Sequence, residues 1–228
     1  MAHYARYRVT PFALFMTFIG GEEALRFLMN KGLLNIPTTT FLYLYSFRAV
    51  TVGLLLACYW KRYEEIRLRD FLRYSETFLS VGVGIIVFVL WINMPWVLGL
   101  SGSPAGYDPT VLSDFFTRHC LIAIRLLSAS IVAPIMEELF WRSFLLRYVI
   151  NPNITRVPVG TFTWTSFLIS ALLFGLEHHQ FYAGIMAGVA YSLLLYRTKS
   201  IALCVVSHGI TNALLGIFVL QTQQWRFW

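Results

Sequence analysis

Residues 133–142 have the sequence APIMEELFWR, which places two adjacent glutamates and an arginine inside a long apolar run. The run extends from Phe115 to Ile150 and predicts helix over its whole length. Ionised side chains are costly in hydrocarbon, so acidic residues within a membrane helix are candidate functional residues by default. This stretch therefore indicates a membrane-embedded helical fold and marks the place where a functional site is expected.

The composition also indicates a membrane protein. The chain has 228 residues, of which 57% are hydrophobic and only 13% are charged, whereas soluble domains have about 25% charged residues. We predict an all-α fold, a polytopic membrane bundle of about seven to eight transmembrane helices. The whole chain, residues 1–228, is expected to form a single integral-membrane domain with the lipid bilayer around it.

The positive charge of the chain is interpreted as a topology signal. The net charge is +7, but most Lys and Arg residues lie in short loops between apolar segments. That distribution predicts no nucleic-acid partner, and it fits the positive-inside rule if the N-terminus is cytoplasmic. The three cysteines have neither metal-binding nor disulfide spacing and are interpreted as packing residues.

Apolar segments long enough to form spans of about 20 residues or slightly less occur along the chain. They lie at about 9–29, 38–60, 77–99, 115–150, 162–178, 181–196 and 201–220. The polar stretch 61–76 fits a short interfacial helix, and residues 100–113 form a loop without Lys or Arg. Pro134 predicts a break or kink in the segment 115–150, and a break there would add an eighth element.

The two acids of the central stretch are not expected to be equivalent. Glu138 and Arg142 lie one helical turn apart and can form an ion pair. Glu137 points about 100° away from Glu138 and is left for another partner. A buried Glu–Arg pair that joins two helices would explain Glu138 and Arg142 without any catalysis. That interpretation does not explain Glu137, which is therefore a candidate general base.

Two further motifs place histidines in apolar segments. His178 follows Phe174 by one helical turn, and Asn212 follows His208 by one turn in the last span. His208 and Asn212 could bind a metal, or stabilise an oxyanion by hydrogen bonding. The alternative for each motif is interhelical hydrogen bonding, which contributes about 1 kcal/mol per bond in membranes.

A second acidic cluster occurs in the first span. Glu22, Glu23 and Arg26 resemble the central stretch but have no His or Asn nearby in the sequence. We interpret them as a structural or interfacial charge cluster. Arg48 and Arg125 are possible counter-ions either to this cluster or to the central acids, and the sequence does not pair them.

The three motifs together resemble the CPBP family of intramembrane proteases, which includes the CAAX prenyl endopeptidases and the bacteriocin-immunity proteins. The resemblance covers about residues 115–220, the expected catalytic core, and the motifs are Glu137-Glu138-x-x-x-Arg142, Phe174-x-x-x-His178 and His208-x-x-x-Asn212. More narrowly, VAPIMEELFWRSFLLRYVI, FGLEHH and the QWRFW ending are similar to CAAX-protease-related proteins of bacterial exosortase systems. That likeness implies a location in the bacterial inner membrane.

The resemblance implies a glutamate-type endopeptidase that needs no cofactor. It would hydrolyse a peptide bond near the C-terminus of a membrane-anchored protein or peptide. On this reading Glu137 and His178 activate a water, His208 and Asn212 stabilise the oxyanion, and the ion pair of the first motif orients the site. The oligomeric state is left open.

Several alternatives stay open at this point. Glu137, His178 and His208 could hold a zinc ion, because catalytic zinc normally has three protein ligands, although the chain has no His-Glu-x-x-His helix. A non-catalytic immunity or partner-binding protein of an exosortase-type pathway is the main rival, and a proton-coupled transporter is another. Straight spans would place His178 far from Glu137, so the depth of segment 162–178 decides whether they meet. The side to which the site opens is also undecided, with the cytoplasmic side favoured.

Overall fold

The computed structural model describes residues 2–97 and 106–228. Those residues form helices and connecting turns and contain no strand, so the predicted all-α bundle is confirmed. We number the helices in chain order as α1 Ala2–Asn30, α2 Thr40–Tyr59, α3 Tyr74–Val97, α4 Phe115–Ile150, α5 Trp164–Leu176, α6 Phe181–Thr198 and α7 Ile201–Thr222.

Four segments are long and apolar enough to cross a membrane, and they comprise α2 with the turn that follows it, most of α3, and the whole of α4 and α7. This is fewer than the seven to eight crossings predicted. The other helices fail on length or composition, because α5 has only 13 residues and α1 carries charges in both halves. Part of the predicted loop 100–113 lies outside the described residues.

Helix α4 is continuous, which corrects the expectation that Pro134 might split it. Asp114 caps the helix by accepting a hydrogen bond from the backbone N–H of Thr117 at 2.7 Å. Wider π-helical turns, Ser128–Val132 and Leu139–Leu145, lie on either side of the proline. Pro134 has no N–H to donate, and a π-helical turn absorbs that lost hydrogen bond without ending the helix.

The polar segment between α2 and α3 is not the interfacial helix predicted for residues 61–76. It contains two 3-10 turns, Trp60–Arg62 and Leu68–Leu72, with irregular backbone between them. The cause is side-chain bonding within the bundle. Glu65 accepts a hydrogen bond from Arg8 at 2.6 Å and another from Ser143. These buried contacts join the segment to α1 and α4 and replace a regular helix on the surface.

Helices α3 and α7 lie side by side and run in the same direction. Both begin at the polar segment, where the Ser200 hydroxyl donates to Asp70 at 2.6 Å. Farther along, the Thr211 hydroxyl donates to the backbone carbonyl of Gly84 at 2.8 Å. Gly84 allows this approach, since a Cβ there would lie 2.5 Å from the carbonyl oxygen of Ser207. We call the end of the bundle that holds residues 61–73 the polar end.

Helices α5 and α6 form the short hairpin expected from the sequence. Small residues permit the tight contact, because the Cβ of an alanine at Gly184 would lie 2.9 Å from the Cα of Gly175. Lys199 ends α6 in the left-handed conformation with φ of 55°. The hairpin packs against α3 and α4, and its tip, residues 177–180, carries the second motif into the bundle.

Candidate active site

The ion pair predicted within the central motif is present. Arg142 Nη1 donates to Glu138 Oε1 at 3.2 Å, and both side chains are completely buried. Arg142 Nη2 also donates to the carbonyl of Gly188 at 3.3 Å, and the guanidinium lies 4.3 Å from the centre of the Phe174 ring. The arginine therefore joins α4 to both helices of the hairpin.

His208 contacts both acids of the central motif. Its Nδ1 lies 2.9 Å from Glu138 Oε1 and its Nε2 lies 3.9 Å from Glu137 Oε2. The Tyr191 ring stacks on the imidazole at 4.9 Å, and the tyrosine hydroxyl donates to Thr211 at 2.8 Å. This packing holds the imidazole between α4 and α6, so the third motif meets the first.

Glu137 and Glu138 differ as the helix geometry predicted. The carboxylate of Glu138 accepts from Arg142 and faces His208, whereas Glu137 Oε2 has no hydrogen-bond partner among the described residues. Glu137 is nevertheless buried, with 7% of its surface exposed. A buried carboxylate oxygen without a donor is costly to the fold, which is typical of a group kept for chemistry.

His178 lies at the hairpin tip and is oriented by its own helix. Its Nδ1 lies 2.7 Å from the carbonyl oxygen of Phe174. A carbonyl can only accept, so Nδ1 carries the hydrogen and the neutral ring has its lone pair at Nε2. The rings of Phe174 and Trp91 lie 4.7 Å and 5.4 Å away. Within the described residues His178 forms no hydrogen bond or ion pair with Glu137, its predicted partner.

Asn212 is positioned by the π-helical turn of α4. Its Nδ2 donates to the carbonyl of Ala129 at 2.8 Å. Ala129 lies in the turn Ser128–Val132, and the wider hydrogen-bond spacing there leaves carbonyls available to side chains of another helix. The proline of the central stretch and the asparagine of the third motif are thus parts of one local arrangement.

One cavity of about 200 Å³ connects the second and third motifs. Its polar wall contains His178, His208, Asn212 and Arg125, and five aromatic side chains, Trp91, Phe174, Tyr191, Phe227 and Trp228, form much of the rest. Because His208 also lies 3.9 Å from Glu137, the cavity ends at the acidic pair. From there it extends away from the polar end, toward the C-terminal half of α7.

The acidic cluster of the first helix lies apart from this cavity wall. Glu22 forms an ion pair with Arg48 at 3.0 Å, which confirms Arg48 as one of its possible counter-ions. Glu23 is exposed, and Arg26 lies over the Phe41 ring at 3.9 Å. These contacts support the structural interpretation of the cluster.

Several residues near the site were not found from the sequence. Tyr191 stacks on His208, and Glu177 accepts a hydrogen bond from the indole N–H of Trp141 at 2.9 Å. Phe227 and Trp228 line the cavity although they are distant in sequence from α4. Only Glu177 carried a sequence signal, since it is a carboxylate next to His178 in an apolar region.

The three candidate zinc ligands are not arranged as a metal site. Within residues 2–97 and 106–228, no three His, Cys, Asp or Glu side chains are grouped as metal ligands. Glu137 and His208 are close, but His178 faces its own helix through Nδ1. The residues do not fit the proposed three-ligand zinc centre, and no step below depends on a metal.

A family model described as type II CAAX prenyl endopeptidase Rce1-like matches residues 119–214. Comparisons with curated proteins and with solved structures found no match. The matched range begins in α4, ends in α7 and contains all three motifs. Residues 119–214 of this chain thus match the Rce1-like type II CAAX prenyl endopeptidase family, in agreement with the resemblance to the CPBP proteases.

Proposed function

We propose that this chain is a glutamate-type intramembrane endopeptidase that cleaves a membrane-anchored protein substrate near its C-terminus. The family match supports an intramembrane protease in general. The observation that carries the finer proposal is the position of His208, which lies in the cavity wall and also contacts both acids. A substrate in the cavity would therefore reach the central motif through one side chain.

The geometry favours Glu137 and His208 as the pair that holds the attacking water. The atoms Glu137 Oε2 and His208 Nε2 are 3.9 Å apart. A water about 2.8 Å from each would make two hydrogen bonds with an angle of about 90° between them. His208 Nδ1 faces the Glu138 carboxylate, so Nδ1 carries the hydrogen and Nε2 can accept one from water. This assignment replaces His178 as the partner of Glu137.

In the proposed reaction the water oxygen attacks the scissile carbonyl carbon while Glu137 accepts a water proton. The amide N–H of Asn212, one turn from His208 in the cavity wall, donates to the oxyanion that forms. As the carbon–nitrogen bond breaks, Glu137 returns the proton to the leaving amine. Glu138 and Arg142 hold His208 and the hairpin in place. His178 offers its Nε2 lone pair to a substrate N–H.

The position of the cavity bears on the side of the membrane that supplies substrate. Arg8, near the N-terminus, bonds to Glu65 at the polar end, so both belong to the same side. With a cytoplasmic N-terminus in a bacterial inner membrane, the cavity lies in the outer half of the bilayer. That placement reverses the cytoplasmic side favoured from the sequence. The exosortase association stays a prediction without a structural argument.

The test is peptide cleavage by the purified protein in liposomes. Lipid-tethered peptides varied at their last residues are incubated with the parent, with Glu137→Gln and with Glu23→Gln, an exposed glutamate of α1 that serves as the matched control. We expect cleavage by the parent and the control and none by Glu137→Gln. Cleavage that survives Glu137→Gln contradicts the proposed base. If no peptide is cut but parent and Glu137→Gln capture the same membrane protein, the partner-binding alternative is correct.

A further inference from the structure

Arg125 is the cationic side chain in the wall of the cavity, and its environment is aromatic. The guanidinium carbon lies 4.0 Å from the centre of the Tyr45 ring and 5.1 Å from that of Tyr107. The Trp228 ring is 5.9 Å away. Aromatic faces stabilise a guanidinium and hold its plane, but they do not use its N–H donors.

No hydrogen bond or ion pair joins Arg125 to any residue in the described ranges, and its buried Nε has no acceptor. The other buried arginines of the bundle interior differ. Arg48 is paired with Glu22 and Arg142 with Glu138. An unpaired cation in an apolar interior is costly, so intramembrane arginines normally face an anion or a water-filled space.

The cavity supplies that space and no anion of its own. Its wall contains Arg125, two histidines, an asparagine and mostly aromatic or aliphatic side chains, with no carboxylate among them. A guanidinium at one end and aromatic walls around it suit a small anion attached to an apolar body. At about 200 Å³ the space is below the usual range of ligand pockets, so it admits the end of a chain rather than a whole two-tailed lipid.

The separation of Arg125 from the proposed base suggests which anion this is. The two residues are on the same helix, and their Cα atoms are about 18 Å apart at about 1.5 Å per residue. An extended peptide spans about 3.3–3.6 Å per residue, so roughly three to five residues cover the distance. A free C-terminal carboxylate lies at such a fixed separation from the scissile bond when cleavage occurs near the C-terminus.

We propose that Arg125 binds the free C-terminal carboxylate of the substrate and so sets the distance between the cleavage site and the chain end. The inference rests on the proposed function, whose substrate class it narrows to peptides with an unblocked, apolar C-terminal residue. The planar guanidinium donates two parallel hydrogen bonds to the carboxylate. A C-terminal amide or an extended chain leaves these donors unused.

The first test compares two lipid-tethered peptides that differ only in ending as a carboxylate or a carboxamide. For the parent we expect kcat/KM to be about 10- to 100-fold higher for the carboxylate, the range of a charge-assisted hydrogen bond. In Arg125→Met this ratio should fall to near one. Arg118→Met, two turns away on α4 and outside the cavity wall, should keep the parent's ratio. Equal cleavage of both peptides by the parent overturns the inference and leaves the proposed function standing.

A binding measurement separates failure of the inference from failure of the proposed function. Glu137→Gln is reconstituted in nanodiscs, and the affinity of the two fluorescent peptides is measured by anisotropy. Tighter binding of the carboxylate form, lost when Arg125→Met is added, supports the inference even if the parent cleaves nothing. If Arg125→Met does not fold, Arg125→Lys keeps a charge but not the planar fork, and its preference should be weakened. A change of equal size on both peptides would instead make Arg125 structural and overturn the inference.

Discussion

His208 Nδ1 lies 2.9 Å from Glu138 Oε1, which links the last helix to the central helix through two buried side chains. Arg142 donates to the same oxygen at 3.2 Å. Glu138 therefore has two polar contacts within the described residues, whereas Oε2 of the adjacent Glu137 has none. Adjacent acids in one helix are thus divided between a structural position and a position available to a water.

That division predicts opposite effects on stability and activity. Glu138→Gln removes one partner of a buried ion pair, and such changes cost about 3–5 kcal/mol of stability. Glu137→Gln removes a carboxylate oxygen without a donor and should leave the melting temperature nearly unchanged while abolishing cleavage. Thermal unfolding in detergent, followed beside peptide turnover, measures both effects. Similar melting temperatures for the two variants would contradict the division.

Asn212 is expected to contribute to the rate more than to the fold. Removing one oxyanion donor typically lowers kcat by about 10²–10³-fold. We expect a loss of that order for Asn212→Ala in single-turnover cleavage, with substrate binding largely retained. The matched control is Asn93→Ala on α3, since the Asn93 side chain is exposed and donates only to Val89 of its own helix. A comparable loss in both variants would show that the effect is structural.

The proposed water chemistry predicts independence from added metal. Cleavage by the purified parent should be unchanged after dialysis against a strong zinc chelator, and the metal content measured by mass spectrometry should not correlate with activity. The reason is that the structure brings Glu137 to His208 but leaves His178 bonded to its own helix. Loss of activity with the chelator, followed by recovery with zinc alone, would support the three-ligand alternative.

The polar segment predicts a pH dependence of stability that does not involve the catalytic residues. Burial acts to raise the pKa of Glu65, but the hydrogen bond and charge of Arg8 and the hydrogen bond of Ser143 outweigh it, so the pKa lies below the ordinary value of 4.5. Because the folded pKa is lowered, the ionised form stabilises the fold above about pH 4.5. This contribution is lost as the pH falls through the folded pKa.

We therefore expect the parent's melting temperature to fall below about pH 4.5 more steeply than that of Glu65→Gln, which has no carboxyl to titrate at this position. Glu64→Gln, a change at the exposed neighbouring glutamate, should follow the parent. Melting curves at a series of pH values between 7 and 3.5 measure the slopes. Parallel curves for the parent and Glu65→Gln would show that this network does not determine acid stability.

Local spacing could be predicted from the sequence, whereas contacts between distant helices could not. The Glu138–Arg142 pair follows from a separation of one helical turn and is confirmed. The partner of Glu137 was expected to be His178, but the depth of the hairpin depends on packing between α5 and α6, and His208 lies closer. Resemblance selected the right motifs without showing how they meet.

The errors in the fold have the same origin. Pro134 is a helix breaker by local rules, yet α4 continues because π-helical turns flank the proline. The stretch 61–76 has an amphipathic pattern, but Glu65 and Asp70 bond to distant helices and pull the segment into the bundle. In both cases a long-range contact outweighs a local preference, and that balance cannot be read from one sequence.

The hairpin contact gives a final test of how the second motif is held. A Cβ at Gly184 would lie 2.9 Å from the Cα of Gly175 and 3.1 Å from the Cβ of His178. Gly184→Ala must therefore move α6 away from the hairpin tip and shift His178 in the cavity wall. We expect lower cleavage and a loss of about 1–3 kcal/mol of stability, the usual cost of overpacking.

The matched control for this change is Gly82→Ala on α3, where an added Cβ would meet nothing within 4 Å. Alanine in an open helical position normally stabilises by about 0.4–1 kcal/mol, because the unfolded chain loses conformational freedom. Gly82→Ala should thus melt at or above the parent's temperature and cleave normally, whereas Gly184→Ala should do neither. If Gly184→Ala matches the control in both melting and turnover, the close approach of α5 and α6 does not position His178.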